Sequence, residues 1–282
     1  MAHGVQLIPT KWWNDNKRAF EFIDEVGQAF GDLKEDHLSK REWQSVDFDF
    51  RDCLGIYVCR MEQTYYSIAI LLHEGNTDDC FALLRKFYEG LISFGYLCTD
   101  RRLLAKQCIE YELVYSIRLL QFRSSIHDGI DTVLEIQLNR VMEQYGTKIF
   151  QFMQPQQAIP SNGIGLIQVK YYDNWTKLDL ATVAQRADMS LCYDTTIKFC
   201  NGYVHPRSTL PYSFLRRDEV GNPTAFDPNP NPDSDDIQHL ASDLTLGLLR
   251  LIELIYASIG IEIPQEHGVL VDKWKTIFIG AE

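Results

Sequence analysis

The sequence predicts an all-α protein, a multi-helix bundle of long antiparallel helices with a Pro/Asn-rich loop before the last long helix. Three observations support this fold class. Apolar residues recur at helical spacing over well over half of the chain, whereas helices hold about a third of the residues in an average globular protein. Residues that can cap a helix stand before most of these segments. The connections between the first long helices are short, which makes consecutive helices antiparallel neighbours.

Capping residues and helical periodicity predict five helices in the first half of the chain. They run from Asn14 or Asp15 to about Gly31, from Asp47 or Asp49 to about Gly75, from Asp79 to about Cys98, from Thr99-Asp100 to about Ser124, and from about Gly129 to Phe150. The stretch Asn76-Thr77-Asp78-Asp79 is the turn and N-cap signal before the third of them. The second of them is apolar nearly all round in its C-terminal half. This pattern indicates a helix that packs on several sides.

Three further helices are predicted in the second half. They are Leu178–Ala187, a helix capped by Asp188 or Ser190 that ends at His205, and a long helix from about Asp235 to Ile259. Pro206 supports the end of the second one, because the residue before a proline disfavours the helical conformation. The alternation in Leu166–Tyr172 predicts a short strand.

We divide the chain into three parts. Residues 1–45 form an N-terminal arm and helix, residues 46–260 form the main helical bundle, and residues 261–282 form a C-terminal tail. Within the bundle, residues 154–174 are a loop insertion and residues 218–236 are an exposed loop rich in Pro, Asn and Asp.

Composition limits the function classes. The chain has 282 residues, of which 45% are hydrophobic and 23% are charged, which is enough for a large buried core. The formal net charge of -12 argues against non-specific binding to nucleic acid or to an anionic membrane, because both need a surplus of Lys and Arg. A single local basic cleft is still compatible with this charge.

The sequence lacks the motifs that would indicate export, a membrane span, a cofactor or a metal site. It has no signal-peptide pattern, and its longest apolar run, Tyr65–Leu72, is too short to span a bilayer. The seven Cys are scattered without a C-x-x-C pair, as in a protein with reduced thiols. No dinucleotide, Walker, H-E-x-x-H or EF-hand motif is present. We therefore expect a cytoplasmic protein without membrane contact, cofactor or metal.

Four polar side chains stand out in the apolar helical pattern. Asn201 and His205 share one face of the predicted helix in the stretch Y-D-T-T-I-K-F-C-N-G-Y-V-H, which Pro follows. Arg85 and Glu89 have the same spacing in L-L-R-K-F-Y-E-G. Histidine can exchange a proton near pH 7, Asn can orient it or a phosphate oxygen, and Arg can clamp a phosphate. Glu89 would hold Arg85 or His205 in position.

Each pair also has a purely structural interpretation. His205 can stabilise the C-terminus of its own helix, where a cation lies favourably near the last carbonyls. Arg85 and Glu89 can form an i,i+4 ion pair on the helix surface, which contributes only a few tenths of a kcal/mol, roughly 0.2–0.5.

The two motifs, together with Trp175 between them, are similar to a broad family of uncharacterised bacterial helical proteins with R-x-x-x-E and N/S-x-x-x-H-P motifs. The late motif also resembles that of the HEPN superfamily, whose members are helical bundles. The resemblance implies a metal-independent ribonuclease of a toxin–antitoxin or phage-defence system, and it implies a homodimer. Asn201 and His205 match the HEPN signature, whereas Cys200 stands where that family has Arg. Either Arg85 supplies the missing guanidinium, or the site is degenerate and kept for binding.

The sequence thus leaves three functions open. The first is a HEPN-like protein that binds or cleaves RNA, with His205 as general acid and base, Arg85 stabilising the phosphate charge, Asn201 positioning the phosphate and Glu89 orienting its neighbours. The second is a non-catalytic helical module that binds a partner protein, in which the Arg, Glu and His side chains form a buried network. The third is a pocket for a nucleotide or another small ligand between the helices.

Overall fold

The computed structural model describes residues 14, 16–39, 47–126, 132–204, 215–217, 223–226 and 234–280. Over these residues the protein is an all-α multi-helix bundle, which confirms the predicted fold class. The helices are α1 (Lys17–Leu33), α2 (Phe48–His73), α3 (Thr77–Thr99), α4 (Arg101–Ile126), α5 (Thr132–Phe150), α6 (Gly163–Leu166), α7 (Leu180–Arg186), α8 (Ser190–Cys192), α9 (Lys198–Val204), α10 (Ser234–Ile259) and α11 (Gln265–Phe278). Two π-helical turns, Lys34–Leu38 and Tyr193–Ile197, extend α1 and join α8 to α9.

The first helix begins later than the sequence predicts. Its N-cap is Asn16 instead of Asn14 or Asp15, and the Asn16 side chain makes no capping hydrogen bond. The Asn16 Oδ1 atom instead accepts a hydrogen bond from Gln238 Nε2 on α10 at 2.7 Å. The Asn16 side chain, which local capping rules assign to the end of α1, therefore bonds to a distant segment of the chain instead.

The hairpin of α2 and α3 agrees with the predicted capping pattern. The Asp47 carboxylate accepts from a backbone N–H in the first turn of α2, and Asn76 Oδ1 accepts from the backbone N–H of Asp79 at the start of α3. Between the helices, Gly75 adopts a positive φ of 76°, which a residue with a Cβ rarely adopts. The short, well-capped turn makes α2 and α3 antiparallel neighbours.

Helix α3 is central in the bundle. It packs against α2, α4, α7, α9 and α10, and its apolar stripe is almost wholly inaccessible to solvent. Helix α10 comes close to α3 at Gly247, next to the rings of Phe87 and Tyr88. The buried side chains of α1 and α11 belong to the same hydrophobic core as those of α2, α3 and α10.

The predicted strand Leu166–Tyr172 is wrong. Leu166 ends helix α6, and in this stretch the structure has one isolated bridge, between Tyr171 and Met153. The backbone N–H of Lys170 donates to a side chain instead of to a neighbouring strand: Gln157 Oε1 accepts this hydrogen bond at 2.6 Å. The alternation arises because Tyr171 points inward and donates its hydroxyl proton to the Leu166 carbonyl at 2.8 Å.

The Pro/Asn-rich segment contains a strand that the sequence interpretation missed. Strands β1 (Leu215–Arg217) and β2 (Pro223–Phe226) pair antiparallel, with a register shift between Arg216 and Arg217. The proline sits at the first position of β2, where it interrupts no central hydrogen bond of a sheet. Residues 218–222 and 227–233 of the predicted loop lie outside the described residues, and residues 234–236 belong to α10.

The C-terminal tail contains helix α11, which packs on α10 and α1. The Trp274 indole donates to the Ser242 carbonyl on α10 at 3.1 Å, and the Phe278 ring lies 6.1 Å from that of Phe22 on α1. Among the described residues, no helix is both long enough and apolar enough to cross a bilayer.

Candidate functional site

The segment that carries Asn201 is not one regular helix. It begins at α8, passes through the π-helical turn and continues as α9. The predicted caps are wrong, because Met189 is the N-cap residue and no side chain caps this end. The chain turns sharply there from α7: Asp188 has a φ of 56°, and the backbone N–H of Met189 donates to the Ala184 carbonyl at 2.8 Å.

Aromatic side chains hold α9 between α3 and α10. The Phe199 ring lies 5.4 Å from the Phe81 ring of α3 and 4.9 Å from the His239 ring of α10, measured between centroids. The next residue, Cys200, is buried beneath this contact. Helix α9 therefore lies at a junction of three helices, α3, α9 and α10.

Arg85 and Glu89 form the ion pair that their spacing predicts. Arg85 Nη2 lies 2.9 Å from Glu89 Oε1, within α3. The two side chains keep 27% and 39% of their surface exposed, so solvent still reaches the pair. A partly exposed i,i+4 pair of this kind contributes roughly 0.2–0.5 kcal/mol to stability.

The charge of the Arg85 guanidinium also affects a thiol on α9. Burial raises the pKa of the Cys200 thiol to about 12, and the positive charge of Arg85 opposes part of that rise. Arg85 therefore lies within electrostatic reach of Cys200. A thiol with this pKa stays protonated near pH 7, so Cys200 is not a nucleophile.

Two polar atoms at this junction are buried without a hydrogen-bond partner among the described residues. They are Arg85 Nε, a donor on α3, and Asn201 Oδ1, an acceptor on α9. Buried polar atoms in folded proteins nearly always have a partner, and an exception calls for a ligand, a water molecule or a further residue. Each of the two packed helices thus carries one buried polar atom without a partner among the described residues: a donor on α3 and an acceptor on α9.

His205 lies outside the described residues, and α9 is described as far as Val204. Of the four predicted site residues, three therefore lie on the packed helices of the junction: Arg85 and Glu89 on α3, and Asn201 on α9.

Asp243 on α10 is a residue of the junction that the sequence interpretation missed. Its Oδ2 atom accepts the Thr196 hydroxyl proton at 2.9 Å and lies 3.8 Å from His239 Nε2. The Tyr88 hydroxyl donates to the main-chain carbonyl of Asp243 at 2.8 Å. Burial raises the pKa of the Asp243 carboxyl, and the nearby His239 opposes that rise. A lone carboxylate between the apolar residues of a long helix was the signal that could have found it.

The remaining groups at the junction are poor candidates for metal or thiol chemistry. Burial also raises the pKa of the Cys192 thiol. Within the described ranges, no three His, Cys, Asp or Glu side chains are grouped as a set of metal ligands. The arrangement offers a guanidinium and an amide, which can donate hydrogen bonds to an anion, next to the mostly buried Asp243 carboxylate, which accepts a hydrogen bond but does not attract an anion.

The fold and the junction define a class: an all-α bundle with a mixed polar site between its central helix α3 and helices α9 and α10. The chain belongs to the family of unknown function DUF5677, whose model matches residues 52–223. That span contains Arg85, Glu89, Asn201 and His205, but not Asp243. Comparisons with curated proteins and with solved structures find no match.

Proposed function

We propose that this protein is a HEPN-like RNA-binding protein with metal-independent endoribonuclease activity, acting as a toxin or phage-defence effector. The observation that carries the proposal is the buried donor of Arg85 and the buried acceptor of Asn201, both without a partner among the described residues. They lie on two packed helices, and Asn201 is one helical turn before His205 in the sequence. An RNA phosphate accepts from the guanidinium, and a ribose hydroxyl donates to the amide oxygen.

The proposed reaction is transfer of the phosphate within the RNA chain. His205 takes the proton of a ribose 2′-hydroxyl, whose oxygen attacks the adjacent phosphorus. The bond from phosphorus to the 5′-oxygen breaks, and that oxygen receives the proton from the protonated His205, which leaves a 2′,3′-cyclic phosphate, a 5′-hydroxyl and a neutral His205. Arg85 stabilises the negative charge that accumulates on the phosphate oxygens, and Glu89 orients the guanidinium.

Replacing His205 by alanine tests this function. We expect cleavage of a single-stranded RNA in the presence of EDTA to fall by about 10²–10⁴-fold, because proton transfer by a positioned side chain typically contributes that much. The products should carry 2′,3′-cyclic phosphate ends. Gln185, which is exposed on α7, gives a control variant, Gln185→Ala, purified in parallel. Equal cleavage by wild type and His205→Ala contradicts the proposal.

The net charge sets the expected mode of RNA binding. At -12, the chain repels a polyanion overall, so affinity must come from the few groups at the junction. We accordingly propose that RNA binds weakly and that its affinity depends little on RNA length. The contacts at the cleavage site supply most of that affinity.

One observation favours the second function, a non-catalytic module that binds a partner protein. The Arg85 Nη2 atom is already engaged by Glu89 at 2.9 Å, as in a structural ion pair. In that case the junction locks α3 to α9 and no RNA is bound. The Arg85 variant argued in the Discussion separates the two functions.

The proposal includes a cytoplasmic homodimer. All seven cysteines are free thiols, as is usual in a reducing compartment. Helix α4 carries an exposed apolar stripe formed by Tyr115, Leu119, Phe122 and Ile126, which is where we place the second copy. Light scattering on the purified chain should give the mass of two chains, and the mass of one chain contradicts the dimer.

A further inference from the structure

A cavity of about 420 Å³ lies away from the junction described above, between the end of α1, its π-helical turn, α10 and the start of α11. Pockets that bind small molecules span roughly 300–1,000 Å³, so this one is large enough for a small ligand. None of its residues belongs to the proposed RNA site.

The walls of this cavity are apolar at depth. Leu33 and Ile252 are buried there, and the ring of Tyr256 stands edge-on to that of His37 with 5.5 Å between centroids. An alkyl chain placed against these side chains loses contact with water and is stabilised by the hydrophobic effect. The aromatic rings also offer faces that attract a cation.

The rim of the cavity is acidic. Asp32, Asp36, Glu262 and Glu266 line it and are exposed, and no Lys or Arg is among the described residues that line it. Glu262 and Glu266 have no ion-pair partner within the described part of the chain. Glu266 also lies in the first turn of α11, where a carboxylate is favourable for the helix itself. The other three carboxylates lie outside that turn.

The field of these carboxylates extends to the cavity wall. Burial raises the pKa of the Tyr256 hydroxyl, and the negative charges of Asp36 and Glu266 raise it further. Negative potential therefore reaches the aromatic wall as well as the rim, which favours a cationic occupant.

His267 lines the cavity and carries a ring nitrogen that has no hydrogen-bond partner among the described residues. It is only 6% exposed, and its Nε2 atom lies 3.2 Å from Glu253 Oε1. That contact lowers the pKa of the Glu253 carboxyl, which also receives Arg250 Nη1 at 2.7 Å. An ionised Glu253 accepts a hydrogen bond, so Nε2 carries the proton and donates it. In the neutral ring the other nitrogen is then an acceptor. That second nitrogen, Nδ1, is buried and has no partner among the described residues.

We propose that this cavity binds a small protonated alkylamine, of the diamine or polyamine class. The ammonium groups pair with the carboxylates of the rim, one N–H donates to His267 Nδ1, and the alkyl chain lies against Leu33, Ile252 and Tyr256. This inference uses no residue of the proposed RNA site and does not depend on the proposed function.

Calorimetric titration of the full-length chain with putrescine and with spermidine tests the proposal, at a fixed ionic strength of about 0.15 M to screen surface charge. We expect saturable binding with one site per chain. The bis-trimethylammonium analogue of putrescine has the same two charges but no N–H donor, so it should bind at least about tenfold more weakly than putrescine. Absence of saturable binding by both amines overturns the proposal, and equal affinity for the bis-trimethylammonium analogue overturns the role of His267.

Variants at the rim distinguish binding in the cavity from non-specific attraction of an amine to an acidic protein. Glu262→Gln/Glu266→Gln should weaken spermidine binding by about tenfold or more, because each change removes one rim charge. Glu135→Gln/Glu143→Gln removes the same charge from exposed positions on α5 and should leave the affinity unchanged. An equal loss in both double variants overturns the site. His267→Leu should also weaken putrescine binding, and the rim variants keep the test valid if that buried substitution fails to fold.

Discussion

Replacing Arg85 by methionine is expected to lower RNA cleavage by about 10²–10³-fold, since this is the usual effect of removing one group that stabilises charge in a transition state. The same change should alter the free energy of unfolding by less than about 1 kcal/mol. The pair that it breaks is a partly exposed i,i+4 ion pair, and methionine is a comparably good helix former. This one variant should therefore lose RNA cleavage and keep nearly all of its stability.

The non-catalytic module predicts no RNA cleavage by the wild type and a large effect of the Arg85 variant on stability. If Arg85 served only to lock α3 to α9, its removal would leave a charged or polar partner unsatisfied in the interface, and stability would fall by several kcal/mol, about 3–5 for a fully buried pair. The exposure of Glu89, 39% of its side chain, argues against so large a penalty, because water can solvate the carboxylate once Arg85 is gone. Thermal unfolding and cleavage assays on the same preparations distinguish the two outcomes.

Two further variants sharpen the interpretation. Arg85→Lys keeps the charge but loses the planar array of donors, including the Nε–H that has no partner among the described residues. We expect it to recover only part of the activity. Arg186→Met, at an exposed position in the last turn of α7, makes the same chemical change away from the junction and should cleave RNA normally. A large loss of stability in Arg85→Met, together with no RNA cleavage by the wild type, would favour the module.

The sequence predicted the features that depend on neighbouring residues. The hairpin of α2 and α3 follows from the caps Asp47 and Asn76 and from the turn at Gly75, all of which act within a few residues. The ion pair of Arg85 and Glu89 follows from their spacing on one helix. Local rules suffice where the partner is one turn away.

Features that join distant segments escaped prediction. Asp243 is bonded to Thr196, and its carbonyl accepts from Tyr88, which lies 155 positions earlier in the chain. The cap at Asn16 shifted because its side chain bonds to Gln238 on the far side of the sequence. The acidic cavity likewise combines three separate segments, none of which carries a recognisable motif. Periodicity shows which face of a helix is buried, but not which helix covers it.

The close approach of α10 to α3 should make Gly247 and Phe87 strongly coupled in stability. A Cβ added at Gly247 would lie 2.8 Å from Phe87 Cε1 and 3.1 Å from Tyr88 Cε2, closer than van der Waals contact allows. The Tyr88 ring cannot easily move, because its hydroxyl is bonded to the Asp243 carbonyl at 2.8 Å. The strain must therefore be relieved by Phe87 or by separation of the two helices.

We expect Gly247→Ala to destabilise the protein by about 1–3 kcal/mol, the usual cost of overpacking a core. The sign of this stability change is informative, because replacing glycine by alanine within a helix otherwise stabilises a protein by about 1 kcal/mol. Gly55→Ala, on α2, provides the matched control: nothing lies within 4 Å of its added Cβ, and it should stabilise the protein. Chemical denaturation monitored by circular dichroism gives all of these values.

Phe87→Ala should cost about 3–5 kcal/mol, as is usual when a fully buried aromatic side chain is truncated. The space that it leaves adjoins the added methyl of Gly247→Ala, so the double variant should be more stable than the sum of the two losses by about 0.5–3 kcal/mol. Additive losses, or a stabilising Gly247→Ala, would mean that α3 and α10 do not meet at this point. The same helices carry Arg85 and Asp243, so this cycle also tests the packing that places the candidate site.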